Sequence, residues 1–216
     1  MKRLLTLVAG GVLAVGAAPT QAQDWSGMYA GVQLGYGSGD AGGFVTSNPA
    51  VRFDSSPEGL LGGAFVGYNW QLSSNLIGGV EGEVFAAGLD DPGPVNTAPT
   101  QSVDQQLEAG AALRARLGYG MGQYLPYVAV GLASGLVQTQ FAGVGGNPTR
   151  NKFMHGYTAA LGLDISRSDR SMMRVEFRHT NYGSTSTGPN TFPTIVPLTL
   201  DDFEANEIRI GYALRF

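Results

Sequence analysis

The chain has 216 residues, 33 of them glycine, with 14% charged residues, no cysteine and a formal net charge of −4. Glycine at that density disfavours long helices, and the charge content is well below the roughly 25% of soluble domains. The acidic balance excludes nucleic-acid binding on electrostatic grounds, and the lack of cysteine excludes both disulfide staples and a lipid-modified cysteine.

The first segment reads as an address. Lys2 and Arg3 precede the apolar run "LLTLVAGGVLAVG" (4–16), which is too short to span a bilayer, and "PTQA" (19–22) offers small residues for cleavage before Gln23. Residues 1–22 are therefore expected to be a secretory signal peptide and 23–216 the mature domain. Beyond that segment no run approaches the roughly 18 apolar residues of a transmembrane helix. A membrane-bound mature chain must cross as strands.

Period-two segments recur from there on. "WSGMYAGVQLGYG" (25–37) is followed by a long polar stretch (38–58), and "GLLGGAFVGYNWQ" (59–71) by the short turn 72–75. "LIGGVEGEVFAAG" (76–88) leads into a long connection (89–103), and "QQLEAGAALRARLGYG" (105–120) into a short one (121–123). "YLPYVAVGLASGLVQTQ" (124–140), a loop (141–151), "KFMHGYTAALGLDI" (152–165) and a short turn (166–170) come next. "SMMRVEFRHTNYG" (171–183), a long stretch (184–203) and the closing strand from about Glu204, which ends on "EIRIGYALRF" (207–216), complete the series. Long and short connections alternate throughout. This predicts an all-β fold, an eight-stranded antiparallel up-and-down transmembrane barrel with tight turns on one rim and long loops on the other.

The polarity of the faces decides between a soluble and a membrane barrel. In "MMRVEFRH", Met173, Val175 and Phe177 alternate with Arg174, Glu176 and Arg178, and in "QLEAGAALRARLGY" an apolar stripe from Leu107 to Tyr119 opposes Glu108, Arg114 and Arg116. An apolar outside with a charged inside suits lipid and not water. The inward set comprises the acids Glu81, Glu83, Glu108, Asp164, Glu176 and Glu207 and the bases Arg114, Arg116, Arg174, Arg178 and Arg209. Near balance and the narrow lumen of an eight-stranded barrel favour a core of ion pairs over an open pore. For Leu125 to Val137 both alternates are apolar or small and no face is assigned. Tyr36, Tyr68, Trp70, Tyr119 and Tyr127 lie near strand ends, where amphipathic rings settle at the membrane interface.

"DWSGMYAGVQLGYG", "GGAFVGYNWQ" with "GGVEGEV", "LRARLGYG" with "LPYVAVGLA", "RVEFRHTNYG" and "IRIGYALRF" together resemble the OmpA-like transmembrane barrels. They are most similar to the alphaproteobacterial proteins called outer membrane immunogenic or porin-family proteins. The resemblance covers the strand cores of the mature chain and not the long connections. It implies residence in a Gram-negative outer membrane with both termini periplasmic, contact with lipid and lipopolysaccharide, and insertion by the barrel-assembly machinery. That machinery reads a closing strand ending in an aromatic, here Phe216 with Tyr212 and Leu214. OmpA carries a further peptidoglycan-binding domain; this chain stops at the barrel, and that anchoring role is not expected of it.

Three classes of function follow. The leading one is a non-enzymatic barrel, without cofactor, that supports envelope integrity and presents long loops to host or surface ligands. The second is a narrow channel for ions or small solutes lined by the inward charges. The third is a lipid A-modifying enzyme or a haem-binding surface protein. His155 and His179 fall on neighbouring strands toward the long-loop rim, on the apolar alternate, with Ser184 near in sequence. A nucleophile–base pair needs an orienting acid, and Asp164 and Glu176 belong to the other face. No metal-ligand spacing, P-loop or nucleophile elbow is present.

Overall fold

The computed structural model describes residues 24–45, 48–95, 98–142, 149–186, 198–200 and 203–216. The segment read as a leader lies outside them. The elements are β1 (Gly27–Val45), β2 (Asn48–Ser55), β3 (Glu58–Gln71), β4 (Leu76–Val95), β5 (Ala98–Tyr119) and β6 (Tyr124–Ala142). They continue with β7 (Thr149–Ser168), β8 (Ser171–Asn181), β9 (Thr185–Ser186), β10 (Leu198–Leu200) and β11 (Glu204–Arg215).

Eight of these strands close a barrel in the order β1, β3, β4, β5, β6, β7, β8 and β11, each antiparallel to the next. β11 completes the circle on β1, from Tyr29↔Arg215 to Asp40↔Glu204. Closure leaves no strand edge unpaired within the lipid, the condition for a sheet to cross a bilayer. Short turns join the strands at one rim. At Leu72–Asn75 the Leu72 N–H donates to the Leu76 carbonyl at 2.8 Å. At Met121–Tyr124, Gly122 takes φ +59°, the left-handed conformation that a two-residue hairpin requires and that glycine adopts without strain.

The other rim differs from the sequence expectation. The polar stretches read as loops are largely strand: β1 runs to Val45, β4 to Val95, β5 starts at Ala98, and β6 and β7 extend to Ala142 and from Thr149. β2 continues the line of β3 against β1, with Ala41↔Ser55, and β10 lies on β1 with Gly43↔Leu200. Outside a bilayer a hairpin needs no apolar face, so its sequence carries no period-two signal although its ladder persists. Pro92 and Pro94 stand in β4 opposite Asp104 and Ser102.

Alternation sorts the side chains as the sequence suggests on most strands. Along β8, Met173, Val175 and Phe177 face out while Arg174, Glu176 and Arg178 are buried. Leu60 and Leu132 are 73% and 72% exposed, and large apolar side chains face outward on every barrel strand. No water-soluble monomer tolerates a continuous apolar belt of that kind; hydrocarbon must cover it. On β6 the structure supplies the assignment that the sequence lacks: Leu125, Tyr127, Ala129, Ala133 and Val137 point inward, and Val128, Val130 and Leu132 outward. On β5 a β-bulge between Leu107 and Ala109 inserts one residue and reverses the parity above it. Leu107, expected on the lipid face, is fully buried in the lumen.

Candidate functional site in the barrel lumen

The lumen is filled in three layers. Next to the short-turn rim lies an apolar cluster of Trp25, Tyr29, Phe65, Ile77, Leu125 and Met172. Toward the long-hairpin rim a second cluster includes Leu61, Phe85, Leu107, Val137, Met154, Tyr182 and Phe203. Between them sit five acids, Glu81, Glu83, Asp164, Glu176 and Glu207, and five arginines, Arg114, Arg116, Arg174, Arg178 and Arg209, none more than 6% exposed.

These ten side chains form one continuous network across the barrel. Asp164 accepts from Arg116 Nη2 at 2.5 Å and from Arg174 Nε at 2.7 Å. Arg174 reaches on to Glu81 at 2.6 Å, and Glu81 also pairs with Arg114, its cross-strand neighbour. Arg114 bridges to Glu176 at 2.8 Å, and Glu176 to Arg178 at 2.6 Å. Arg178 forks onto Glu83, which Arg209 meets at 3.2 Å, and Arg209 ends on Glu207 at 2.6 Å. β4 and β5 are thereby tied to β7, β8 and β11 through the middle of the barrel.

Arginine is the only base in the network, and its planar fork lets one side chain satisfy two carboxylates, which lysine cannot do as well. Aromatic rings complete the packing. The Tyr29 hydroxyl donates to Glu81 at 2.8 Å and the Tyr127 hydroxyl to Glu176 at 2.6 Å. The Arg116 guanidinium lies 3.9 Å from the Tyr127 ring centroid, and that of Arg174 lies 4.5 Å from Phe65. Glycines on facing strands make room for these rings: a β-carbon on Gly67 or Gly162 would lie 2.3 Å or 2.2 Å from the Cζ atom of Tyr29 or Tyr127.

Two residues assigned by sequence lie elsewhere. Glu108 is not in the network: it sits in the β5 bulge, half-buried, and accepts from Gln138 Nε2 at 2.9 Å. Tyr127 is not an interface aromatic, because its side chain points into the lumen. Tyr36, Tyr68, Trp70 and Tyr119 do face outward, Tyr68 and Trp70 stacking at 6.4 Å near the short-turn rim. Tyr212, Leu214 and Phe216 are exposed on the outer face of β11 and beyond it, the Phe216 N–H donating to the Met28 carbonyl at 2.9 Å.

The histidines are not brought together. His155 is exposed opposite Ser134 on β6, and His179 lies opposite Ala159 with its Nδ1 3.0 Å from Asn206 Oδ1. Their positions differ by four residues along β7, roughly 13 Å. Among the described residues no cluster of His, Asp or Glu has metal-binding geometry. Sequence reasoning missed Trp25, Tyr182 and Phe203, which lie outside regular strands, where alternation carries no information.

Comparison with known proteins agrees with this architecture. The sequence model of the outer membrane protein beta-barrel domain family matches residues 7–216. The 25 kDa outer-membrane immunogenic protein of Brucella abortus is 31% identical over 192 residues, covering 89% of this chain and 79% of the relative. A 22 kDa outer membrane protein of Rhizobium leguminosarum is 29% identical over 163 residues, covering 76% of this chain and 67% of the relative. Among solved structures, the outer membrane protein OprG of Pseudomonas aeruginosa covers 91% of this chain and 99% of its own at a TM-score of 0.50 and 13% identity, a likeness of fold alone. With an apolar belt outside, an ion-paired core inside and relatives in two alphaproteobacterial genera, the chain belongs to the outer membrane protein β-barrel family and is an outer-membrane protein.

Proposed function

We propose that this protein is a non-enzymatic, closed barrel that reinforces the outer membrane and carries its long β-hairpins at the cell surface, with the short-turn rim and both termini of the mature chain in the periplasm. The observation that carries this reading is the filled lumen: among the described residues, every buried carboxylate inside the barrel is bound to an arginine between two apolar layers. Groups so buried and paired meet neither substrate nor water. The hairpins beyond the bilayer are the remaining surface for recognition. Relatives named as immunogenic proteins support surface display.

The absence of native cysteine makes the orientation directly testable. Thr100→Cys, near the tip of the β4–β5 hairpin, is expected to react with a membrane-impermeant maleimide on intact cells. Ser73→Cys, in the turn Leu72–Asn75, is expected to react only after the outer membrane is permeabilised. The reverse pattern would invert the barrel and remove the surface role. Deleting the protein should sensitise cells to detergent and leave the lipid A acylation pattern unchanged; altered acylation would point to an enzyme.

We further propose that the assembly machinery recognises β11 through Tyr212, Leu214 and Phe216, which share its outer face. Phe216→Ala is expected to lower the amount of heat-modifiable barrel in the outer membrane several-fold while leaving refolding of the purified chain in detergent intact. Equal loss in both assays would assign Phe216 to stability instead.

A further inference from the structure

The two mouths of the lumen are covered in different ways. At the long-hairpin mouth the cover includes Tyr182 and Phe203, and main chain ties it down. The Tyr182 N–H donates to the Phe203 carbonyl at 2.8 Å and the Phe203 N–H to the Gly183 carbonyl at 3.3 Å. At the short-turn mouth the cover is Trp25, which precedes β1 and is only 2% exposed. Its ring belongs to the floor cluster with Ile77, Leu125 and Met172.

Side chains hold this second cover in place. The Trp25 indole N–H donates to the Gly122 carbonyl at 3.3 Å, and Asn69 Nδ2 donates to the Trp25 carbonyl at 3.2 Å. Arg215 donates through Nη1 to the Asp24 carbonyl at 2.7 Å, with its guanidinium 5.2 Å from the centroid of the Trp25 ring. Through Nη2 the same arginine reaches the Ser168 and Asp169 carbonyls at 3.0 Å and 2.9 Å. One side chain at the end of β11 thereby fastens the segment before β1 to the β7–β8 turn.

The backbone of that segment is shaped to turn away from the sheet. The Ser26 N–H donates to Asp24 Oδ1 at 2.9 Å, a local bond of the kind that closes a tight turn. Gly27, the first residue of β1, takes φ +111°, and a β-carbon there would lie 3.0 Å from the Phe216 carbonyl oxygen. Only glycine meets both conditions without strain. A glycine hinge, a seated ring and side-chain fastenings in place of a ladder are the build of a part that opens locally, before the sheet around it does.

We propose that Asp24 and Trp25 form a strap that closes the short-turn mouth of the lumen, with Gly27 as its hinge and Arg215 as its catch, and that the strap lifts while the barrel wall stays intact. Lifting it takes the indole out of the floor and admits water to Met172 and Ile77. The ion pairs and the upper apolar layer still stand between that water and the other mouth, so a lifted strap is not a through channel. The proposal rests on the filled lumen of the reading above and not on the orientation of the barrel. Its test uses purified protein, so its failure leaves the maleimide result untouched.

The chain has no cysteine, so a single probe can be placed in each layer. Met172→Cys reports on the floor, and Val137→Cys, in the upper cluster, reports on the rest of the lumen. Each is treated with a small water-soluble methanethiosulfonate in refolded protein whose folding is verified by gel shift. Arg215→Gln is expected to speed labelling of Met172→Cys at least about tenfold, as the loss of a charge-assisted hydrogen bond to the strap would, and to leave Val137→Cys unchanged. Trp25→Ser, which keeps the catch and removes the ring, should do the same. In a Trp70→Phe background, where Trp25 is the one tryptophan left, Arg215→Gln should shift the emission to the red and raise quenching by iodide. Unchanged labelling of Met172→Cys in both variants would overturn the proposal. Equal acceleration at both cysteines would overturn it too, because the whole barrel then loosens. So would faster labelling with Trp25 emission unmoved, since the floor then opens elsewhere.

Discussion

Arg174→Met is expected to destabilise the barrel by roughly 3–5 kcal/mol, the usual consequence of leaving buried charges without a partner. Arg174 holds Asp164 through Nε and Nη2, at 2.7 Å and 3.1 Å, and Glu81 through Nη1 at 2.6 Å, with its guanidinium packed on Phe65. Without it Asp164 keeps only Arg116, and Glu81 loses one of three arginines. Adding Asp164→Leu should recover more than half of the loss, because removing both members of a buried pair avoids the unpaired charge. Arg170→Ala, on the exposed β7–β8 turn, should change stability by less than about 0.5 kcal/mol. Urea unfolding in lipid vesicles, read by tryptophan fluorescence and by gel shift, separates the three. Equal, small effects at Arg174 and Arg170 would mean that the network is hydrated.

Gly162→Val is expected to prevent folding or to cost at least about 3 kcal/mol. The new side chain would begin 2.2 Å from Tyr127 Cζ and 2.4 Å from its hydroxyl. Tyr127 has little freedom to move: its hydroxyl donates to Glu176 and its ring carries the Arg116 guanidinium. In a Tyr127→Ala background the same valine should cost far less, a coupling of roughly 2–3 kcal/mol in the direction of rescue. Additive losses would show that Gly162 serves the backbone and not the ring.

Where the bilayer and the lumen impose opposite demands on alternate residues, the fold is readable. β8 shows this in single letters, Met-Arg-Val-Glu-Phe-Arg, and ten of the network's side chains can be picked out on parity alone. Parity stops being informative where the lumen is itself apolar. β6 resists assignment because Leu125, Ala129, Ala133 and Val137 line the lumen around Tyr127, so both of its faces read as oil. Tyr127 is misread for the same reason, since a ring that serves a buried carboxylate and a ring that serves the interface look alike in sequence. The β5 bulge moves Glu108 out of the lumen and Leu107 into it, and no residue type there announces the extra position. The long hairpins, lying in neither oil nor core, hold their ladders by backbone hydrogen bonds that any polar sequence can make.

Ion pairs between two apolar layers close the lumen. Single-channel recording of the refolded protein in planar bilayers, with folding verified by its heat-dependent gel shift, tests it most directly. Silence across the full voltage range is the expected result, for wild type and for Arg116→Ala alike. Steady openings whose ion selectivity shifts in Arg114→Ala or Arg116→Ala would show instead that the charges line a conducting path.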